Sequence, residues 1–409
     1  MSGIKHWLWL RNLQGLNNRT CLKLWDHFAS PEGIYYADAE EYAQVPQLSK
    51  AQIRALENKS LDRAEEIIED CARLGIRIMT IMDAEYPDRL RAIEDAPCVL
   101  YIRGSWPDFD SEAAVAVIGS RNSTPYGIRV GQTLGYELSK GGAYIVSGLA
   151  ARGDAAGHFG ALLAGKKTAA VLGCGIDVVY PAENQRLYAD IEADGVLISE
   201  YPPGTKPVGR HFLERNRIIS GLSMAVIVVE AKLRSGTQNT VRHAIEQGRD
   251  VYAVPGPIDS VYSEGTNRMI QEGAGVVTHA WDVLQELQPW FPDKIEAKLF
   301  ELPPILQRVE NSKPAAAEKE AAAEKIEKQI DNRNEIEYIE IEKAKDRFTD
   351  DQIQILLTLS DQPMIVDDIA ETTQIPVRRV LSALTMLEID ELIKQESGNR
   401  YILNAVIQQ

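Results

Sequence analysis

The chain has 409 residues, 44% of them hydrophobic and 25% charged, with a formal net charge of −16. That length allows two to four domains, and the composition is ordinary for a globular protein. No run approaches the ~18 uncharged apolar residues of a membrane-spanning helix, and the acidity argues against a broad electrostatic pull on nucleic acid.

The opening segment, Met1-Ser2-Gly3-Ile4-Lys5-His6-Trp7, lacks a signal-peptide core. Cys21, Cys71, Cys98 and Cys174 show no paired metal spacing and read as buried thiols. We therefore expect a cytoplasmic protein in a reducing compartment. The acid is uneven. Residues 112–288 hold 16 Lys+Arg against 18 Asp+Glu, a net of −2, whereas residues 289–409 hold 15 against 24, a net of −9. A local basic site in the middle of the chain is compatible with that distribution.

Residues 1–75 predict a small helical domain. Trp7-Leu8-Trp9-Leu10, Leu22-Lys23-Leu24-Trp25 and the run from Leu61 to Ile68 place apolar residues at helical spacing. Turn signals at Asn17-Asn18 and Ser30-Pro31-Glu32-Gly33 divide them. Residues 76–106 then change period, and strands are expected near Ile76–Ile81 and Pro97–Gly104 as an extension of the main sheet.

Six short β-branched runs follow: Val115–Ile118, Tyr144–Val146, Ala169–Leu172, Val196–Ile198, Ala225–Val229 and Val251–Val254. Each is too short for a buried helix and reads as a buried parallel strand. Each leads through a loop into a helix-like stretch, the pattern of a doubly wound α/β sheet whose ligands sit at the carboxyl ends of the strands. We place this α/β domain at residues 76–288. Residues 289–350 form an Ala-, Glu- and Lys-rich linker. In residues 351–409, three helices and a terminal hairpin predict a winged-helix domain.

The loops at the expected sheet edge carry amides, hydroxyls and guanidiniums in place of a catalytic set. Gly119-Ser120-Arg121 lets backbone amides approach an anion, with Arg121 as a bidentate phosphate partner. Equally, Arg121 could cap a neighbouring carboxylate. Ser147-Gly148 follows the second strand, and Lys167 lies in a turn into the third. Arg215-Asn216-Arg217 reads as a dense cationic loop that is either a phosphate clamp or paired with Glu214 or Glu200. Ser235-Gly236-Thr237 reads as a helix cap whose first N–H groups point into the cleft.

No dinucleotide fingerprint, Walker A sequence, nucleophile elbow or H-E-x-x-H motif occurs. The six histidines lack ligand spacing and read as structural, with His158 and His211 the two worth testing. Neither metal nor cofactor is implied.

Taken in order, Gly119-Ser120-Arg121, Ser147-Gly148-Leu149-Ala150, Gly173-x-Gly175-x-Asp177, Tyr180-Pro181-x-x-Asn184, Ser199–Gly204, Arg215–Ser223, Ser235-Gly236-Thr237 and Gly248–Gly256 closely resemble the bacterial DNA processing protein A family (DprA, also called Smf). The resemblance spans residues ~76–285. It implies an extended Rossmann-like sheet, flanked by an N-terminal helical SAM-like domain and a C-terminal winged-helix domain.

It also implies a non-enzymatic function: binding and protecting single-stranded DNA and loading the RecA recombinase during natural transformation, as a homodimer. The family's DNA pocket uses the Arg of the Gly-Ser-Arg motif, here Arg121. The Arg-Asn-Arg segment (Arg215, Asn216, Arg217) and the Ser-Gly-Thr cap (Ser235, Gly236, Thr237) line the same face.

Two positions depart from the family pattern. Arg152 stands where a glycine is usual, and if that glycine serves a positive φ, Arg152 is strained. Ala182 stands where many relatives carry a DNA-contacting Lys. Lys166, Lys167 and Arg186 are candidate substitutes.

Two rival readings come from other classes. A Rossmann-like nucleotide or nucleoside-phosphate hydrolase requires a paired carboxylate near the loops, from Asp154, Asp177 and Glu200. A protein adaptor would act through the winged helix, where residues 351–409 hold 9 Asp+Glu against 4 Lys+Arg. Arg378-Arg379 is that module's only basic face. Its composition favours protein contact over DNA.

Overall fold

The computed structural model describes residues 2–296, 338–340, 348–359, 364–389, 392–396, 400–403 and 406–408. The chain divides into two compact units, Met1–Glu301 and Leu302–Gln409. Most of the expected linker 289–350 lies outside the described residues.

The first unit opens with six helices: α1 (Ser2–Asn12), α2 (Asn18–Phe28), α3 (Pro31–Tyr36), α4 (Ala39–Ala43), α5 (Lys50–Leu56) and α6 (Asp62–Leu74). Side-chain caps set the starts of α2 to α5. Asn17 accepts from the Thr20 amide at 2.9 Å, and Ser30 accepts from Gly33 at 2.9 Å, with Pro31 at the first helical position. Gly75, at φ +65°, ends α6. Trp7, Leu10, Leu24, Ile34 and Ile67 are buried in one cluster with Met79, Leu100 and Ile102 of the sheet. The N-terminal helices thus share a core with the sheet.

Nine strands form that sheet: β1 (Arg77–Thr80), β2 (Val99–Gly104), β3 (Ala114–Ile118), β4 (Tyr144–Ser147), β5 (Thr168–Leu172), β6 (Val196–Ser199), β7 (Ala225–Val228), β8 (Asp250–Ala253) and β9 (Gly275–Val276). Their spatial order is β1-β2-β6-β5-β4-β3-β7-β8-β9. All pairings from β6 to β9 are parallel. The expected extension is the antiparallel pair β1–β2 added at the β6 edge.

Alternate residues of β3 face opposite layers. Val115 and Val117 pack with Leu134, Leu138 and Leu284. Ala116 and Ile118 pack with Ile218 and Ile219. Period-two alternation between two apolar layers is what a doubly covered parallel sheet requires.

The helices between the strands are α7 (Asp88–Arg91), α8 (Pro125–Lys140), α9 (Gly153–Leu163), α10 (Gln185–Asp194), α11 (Gly209–Leu222), α12 (Gly236–Glu246), α13 (Glu264–Gln271) and α14 (Trp281–Leu287). Helices α8 and α9 approach closely because glycines face each other. A methyl added at Gly135 would overlap the Gly157 carbonyl, and one at Gly157 would reach Val117 Cβ at 2.9 Å.

Strand order reverses between β3 and β7: β4, β5 and β6 run outward on one side, β8 and β9 on the other. The loops after β3 and β7 therefore diverge and leave a crevice at the carboxyl edge.

A buried ionic network ties this edge to the N-terminal helices. Glu200, just after β6, accepts from Arg217 Nη2 at 2.9 Å and from Asn18 Nδ2, and Arg11 lies 3.8 Å away. Burial alone would raise the Glu200 pKa, but Arg217 and Arg11 outweigh it and hold the carboxyl below its ordinary 4.5.

In the second unit, β10 (Tyr338–Glu340) pairs in parallel with β14 (Val406–Gln408). Helices α15 (Asp350–Thr358), α16 (Val366–Thr373) and α17 (Val377–Ile389) pack with strands β11 (Met364–Ile365), β12 (Ile393–Glu396) and β13 (Arg400–Leu403). The sheet order β11-β13-β12 is antiparallel. Ile355, Ile369, Val380, Leu384 and Leu387 form its core. This is the expected winged helix. Arg379 is tied to Asp351 by two hydrogen bonds of 2.8 Å. The side chain of Arg378 lies outside the described residues.

Two stability experiments follow. Arg217→Met leaves Glu200 buried with a weakened partner set and should cost about 3–5 kcal/mol in urea unfolding at pH 7. Glu200 has a depressed folded pKa, so in the wild type its contribution is present above 4.5 and is lost as pH falls through the folded value. The gap between the two proteins should therefore narrow below pH 4.5. Gly135→Ala should overpack the α8–α9 contact and cost about 1–3 kcal/mol by the same measurement.

Candidate nucleic-acid interface

A cleft of about 450 Å³ lies at the β3/β7 switch point. Its walls are the β3 loop (Gly119 to Asn122), the β7–α12 crossover (Lys232 to Thr237) and one flank of α11 (Phe212, Arg215, Asn216). Four basic side chains line it (Arg121, Arg215, Lys232 and Arg234) against one acid, Asp154.

The β3 loop is held by backbone geometry. Ser120 donates its amide to the Glu230 carbonyl at 3.0 Å, and Gly119 donates to Asp154 Oδ1 at 3.3 Å. Gly153 must be glycine because α9 starts against this loop: a Cβ there would meet Gly119 Cα at 2.6 Å. The Glu230 carboxylate takes the Thr124 amide at 2.8 Å and its hydroxyl at 2.7 Å, joining the two sides of the switch point.

Arg121 is exposed, has no carboxylate within 4 Å among the described residues, and lies with Cζ 5.2 Å from the Phe212 ring centre. The alternative in which Arg121 caps a carboxylate is not what forms.

Arg215 and Arg217 sit inside helix α11, not in a loop. Phe212, Ile218, Ile219 and Leu222 are buried at helical spacing there, and this periodicity overrides the polar Arg-Asn-Arg triplet. The two guanidiniums part company. Arg215 faces the cleft and donates to the carbonyls of Gly148 (2.7 Å) and Val171, with Nε unpartnered. Burial pushes its pKa down and Asp154 pulls it up, leaving about 10, so it stays cationic at neutral pH. Arg217 faces Glu200, Asp95 and the N-terminal helices and takes no part in the cleft. Asn216 lines the wall, its amide 3.5 Å from the Gly236 carbonyl.

Other expected residues scatter. The Ser147 hydroxyl is buried and donates to the Val117 carbonyl at 2.6 Å. Gly148 is a packing position, where a Cβ would meet Arg215 Nη2 and Asp154 Oδ2, each at 2.6 Å. Lys167 precedes β5, at the amino end of the strand opposite the cleft, and donates to Ser105 Oγ at 3.0 Å. Ser235 occupies the N-cap position of α12, yet its hydroxyl makes no cap bond and is buried without a partner beside the cleft. Gly236 and Thr237 begin α12 in the cleft wall.

Among the lining residues not anticipated, Lys232, Arg234 and Phe212 bear on the chemistry of the cleft. Lys232 and Arg234 share the crossover with Ser235, so counting cations over each whole crossover would have found them. Phe212 carried no signal, because an aromatic at helical spacing is ordinarily core.

The carboxylates proposed for a hydrolase do not assemble. Asp154 lines the cleft but is buried, its pKa raised by burial against the pull of Arg215, and it accepts the Gly119 and Ala150 amides. Asp177 accepts the Gly204 amide at 2.8 Å, and Glu200 belongs to the Arg217 network; neither lines the cleft. His158 is buried against Thr168 Oγ1 at 2.8 Å, and burial pushes it down to about 3. His211 stacks on Tyr201 with ring centres 4.2 Å apart.

The expected strain at Arg152 is present. Its backbone lies at φ +61°, ψ −82°, the geometry of a classic γ-turn, which is rare for a residue with a side chain. Ala182 begins a short 3-10 turn, Ala182–Asn184. Asn184 of that turn donates to the Leu149 and Ala150 carbonyls at 3.0 and 3.4 Å.

The chain matches the family model described as DNA recombination-mediator protein A over residues 77–288, and the DprA winged helix domain over residues 342–399. It is 46% identical over 213 residues to the DNA processing protein DprA of Streptococcus pneumoniae, an alignment covering 51% of this chain and 73% of that one. It is 29% identical over 407 residues to Protein Smf of a Synechocystis strain, covering 97% and 98% of the two chains. The X-ray structure of Streptococcus pneumoniae DprA superposes with a TM-score of 0.62 at 36% identity, over 69% of this chain and 97% of that one. With the switch-point sheet, the Gly-Ser-Arg loop and the winged-helix unit all in place, this chain belongs to the DprA/Smf family of DNA recombination mediators.

Proposed function

We propose that this protein binds single-stranded DNA in the switch-point cleft and, as a homodimer in the cytoplasm, protects the strand and loads RecA onto it, as in natural transformation. The observation that carries this reading is Arg121: an exposed guanidinium with no carboxylate partner among the described residues, aimed over Phe212 beside Arg215, Lys232 and Arg234.

Cations from three elements neutralise successive phosphates. Arg215 is held in place by backbone carbonyls, so its charge is pre-positioned. Backbone contacts carry no base identity, so readout of sequence is slight. Few cations per cleft make each site weak, and pairing two clefts in a dimer raises affinity by avidity.

The reading is of a binding protein without catalysis, because Asp154, Asp177 and Glu200 are each engaged elsewhere and do not converge as a hydrolase's carboxylate pair would. The winged helix, whose Arg379 is paired with Asp351, serves protein contact. No helix among the described residues is long and apolar enough to cross a membrane.

Fluorescence anisotropy with a labelled single-stranded oligonucleotide, across a salt series, tests the cleft. Wild type should bind with steep salt dependence, and more weakly to blunt duplex. Arg121→Ala should lose about tenfold in affinity while its unfolding free energy stays within about 0.5 kcal/mol of wild type, because Arg121 is exposed. Unchanged binding by the variant would refute the assignment. Thermal shift by nucleotides but not oligonucleotides would favour the hydrolase reading.

A further inference from the structure

We propose that Arg152 is a further phosphate-binding residue of this protein, extending the cationic track from the cleft along the start of α9; the inference rests on the reading of the cleft just given. Three observations converge on it. First, the backbone at Arg152 lies at φ +61°, ψ −82°, a conformation that favours glycine. A glycine would relieve it, and backbone strain of this kind points to a role for the side chain beyond shape. Second, the side chain is exposed and has no carboxylate within 4 Å among the described residues. Its one hydrogen bond runs from Nη1 to the Ser123 carbonyl at 3.1 Å.

Third, that bond places the guanidinium over the Gly119–Ser123 loop that carries Arg121. The two loops are stitched together: Gly153 donates its amide to the Ser120 carbonyl at 3.3 Å, and Ser123 donates to the same oxygen at 3.2 Å. Asn122 and Ala150, on either side, line the cleft. Arg121 and Arg152 are thus two exposed guanidiniums, both free of ion pairs among the described residues, on one rigid double loop.

The Ala182–Asn184 turn is bonded to the Leu149 and Ala150 carbonyls of the same loop, and its Ala182 adds no charge there. Arg186, on α10, lies one helical turn further on, and Lys167 lies at the other end of its strand. The ligand chemistry is a phosphodiester of the same strand that occupies the cleft, one contact beyond Arg121.

The test uses the full chain. Anisotropy with a single-stranded oligonucleotide is measured from 50 to about 200 mM salt for wild type, Arg121→Ala, Arg152→Gly and Arg152→Lys, with thermal unfolding alongside. Arg152→Gly should bind about fivefold more weakly at the low-salt end and lower the slope of log K against log salt by about 0.7, the value for one single-strand phosphate contact. Its Tm should rise by about 2 °C, because strain is relieved. Arg152→Lys should keep the wild-type slope. A purely structural role would move Tm and leave the slope alone. If wild type binds, Arg121→Ala loses binding and Arg152→Gly matches wild type in affinity and slope, this inference is overturned and the cleft reading stands. If wild type shows no salt-sensitive binding, both fall.

Discussion

Helix α11 carries two buried guanidiniums that must face opposite ways, and the rest of the molecule is arranged around that division. Residues two apart on a helix lie about 200° apart around its axis. Arg215 therefore points to the carboxyl edge of the sheet, where the Gly148 and Val171 carbonyls hold it. Arg217 points to Glu200, Asp95 and, through Glu200, to Arg11 and Asn18 of the first two helices. One half of the pair keeps a positive charge beside the cleft. The other locks the N-terminal helices onto the sheet. A buried charge without a partner is expensive, and the two are held by different means: Arg215 by backbone oxygens with the Asp154 charge nearby, Arg217 by the Glu200 carboxylate.

This division explains how a chain of net charge −16 can present a basic cleft. The acids nearest the switch point are consumed by the fold. Glu230, just after β7, fastens the Thr124 cap at the start of α8, Asp154 fastens the β3 loop to the start of α9, and Glu200 belongs to Arg217. What remains at the rim is Arg121, Lys232 and Arg234. Electrostatic recognition over short range depends on the groups within about a Debye length, not on the sum over the chain.

Much of the architecture was legible in the residues. Short β-branched runs such as Val115–Ile118 and Ala169–Leu172 leave few alternatives to buried strands, and Gly119 and Gly173 after them mark the turns. Gly153 is required by the approach of α9 to the β3 loop. The positive φ at Arg152 was foreseeable because a glycine is usual at that place in the family pattern. The site was read less well. Arg217 looked equivalent to Arg215, since spacing along a chain does not tell which way each side chain faces until the helix is docked. Lys167 was misplaced because a turn before a strand lies at the opposite end from a turn after it. Ser147 and Gly148 proved to be packing groups beneath the cleft.

By itself the sequence determined the alternation of strand and helix, the parallel core, the winged-helix module and the Gly-Ser-Arg loop, because these follow from local periodicity, turn chemistry and ordered motifs. The tertiary structure alone decided which cations meet. Strand order placed the β3 and β7 crossovers side by side although they are more than a hundred residues apart in the chain, and the rotation of α11 sent one arginine to the cleft and its near neighbour into the core. Those outcomes depend on long-range packing of the apolar layers, which no local stretch of residues encodes.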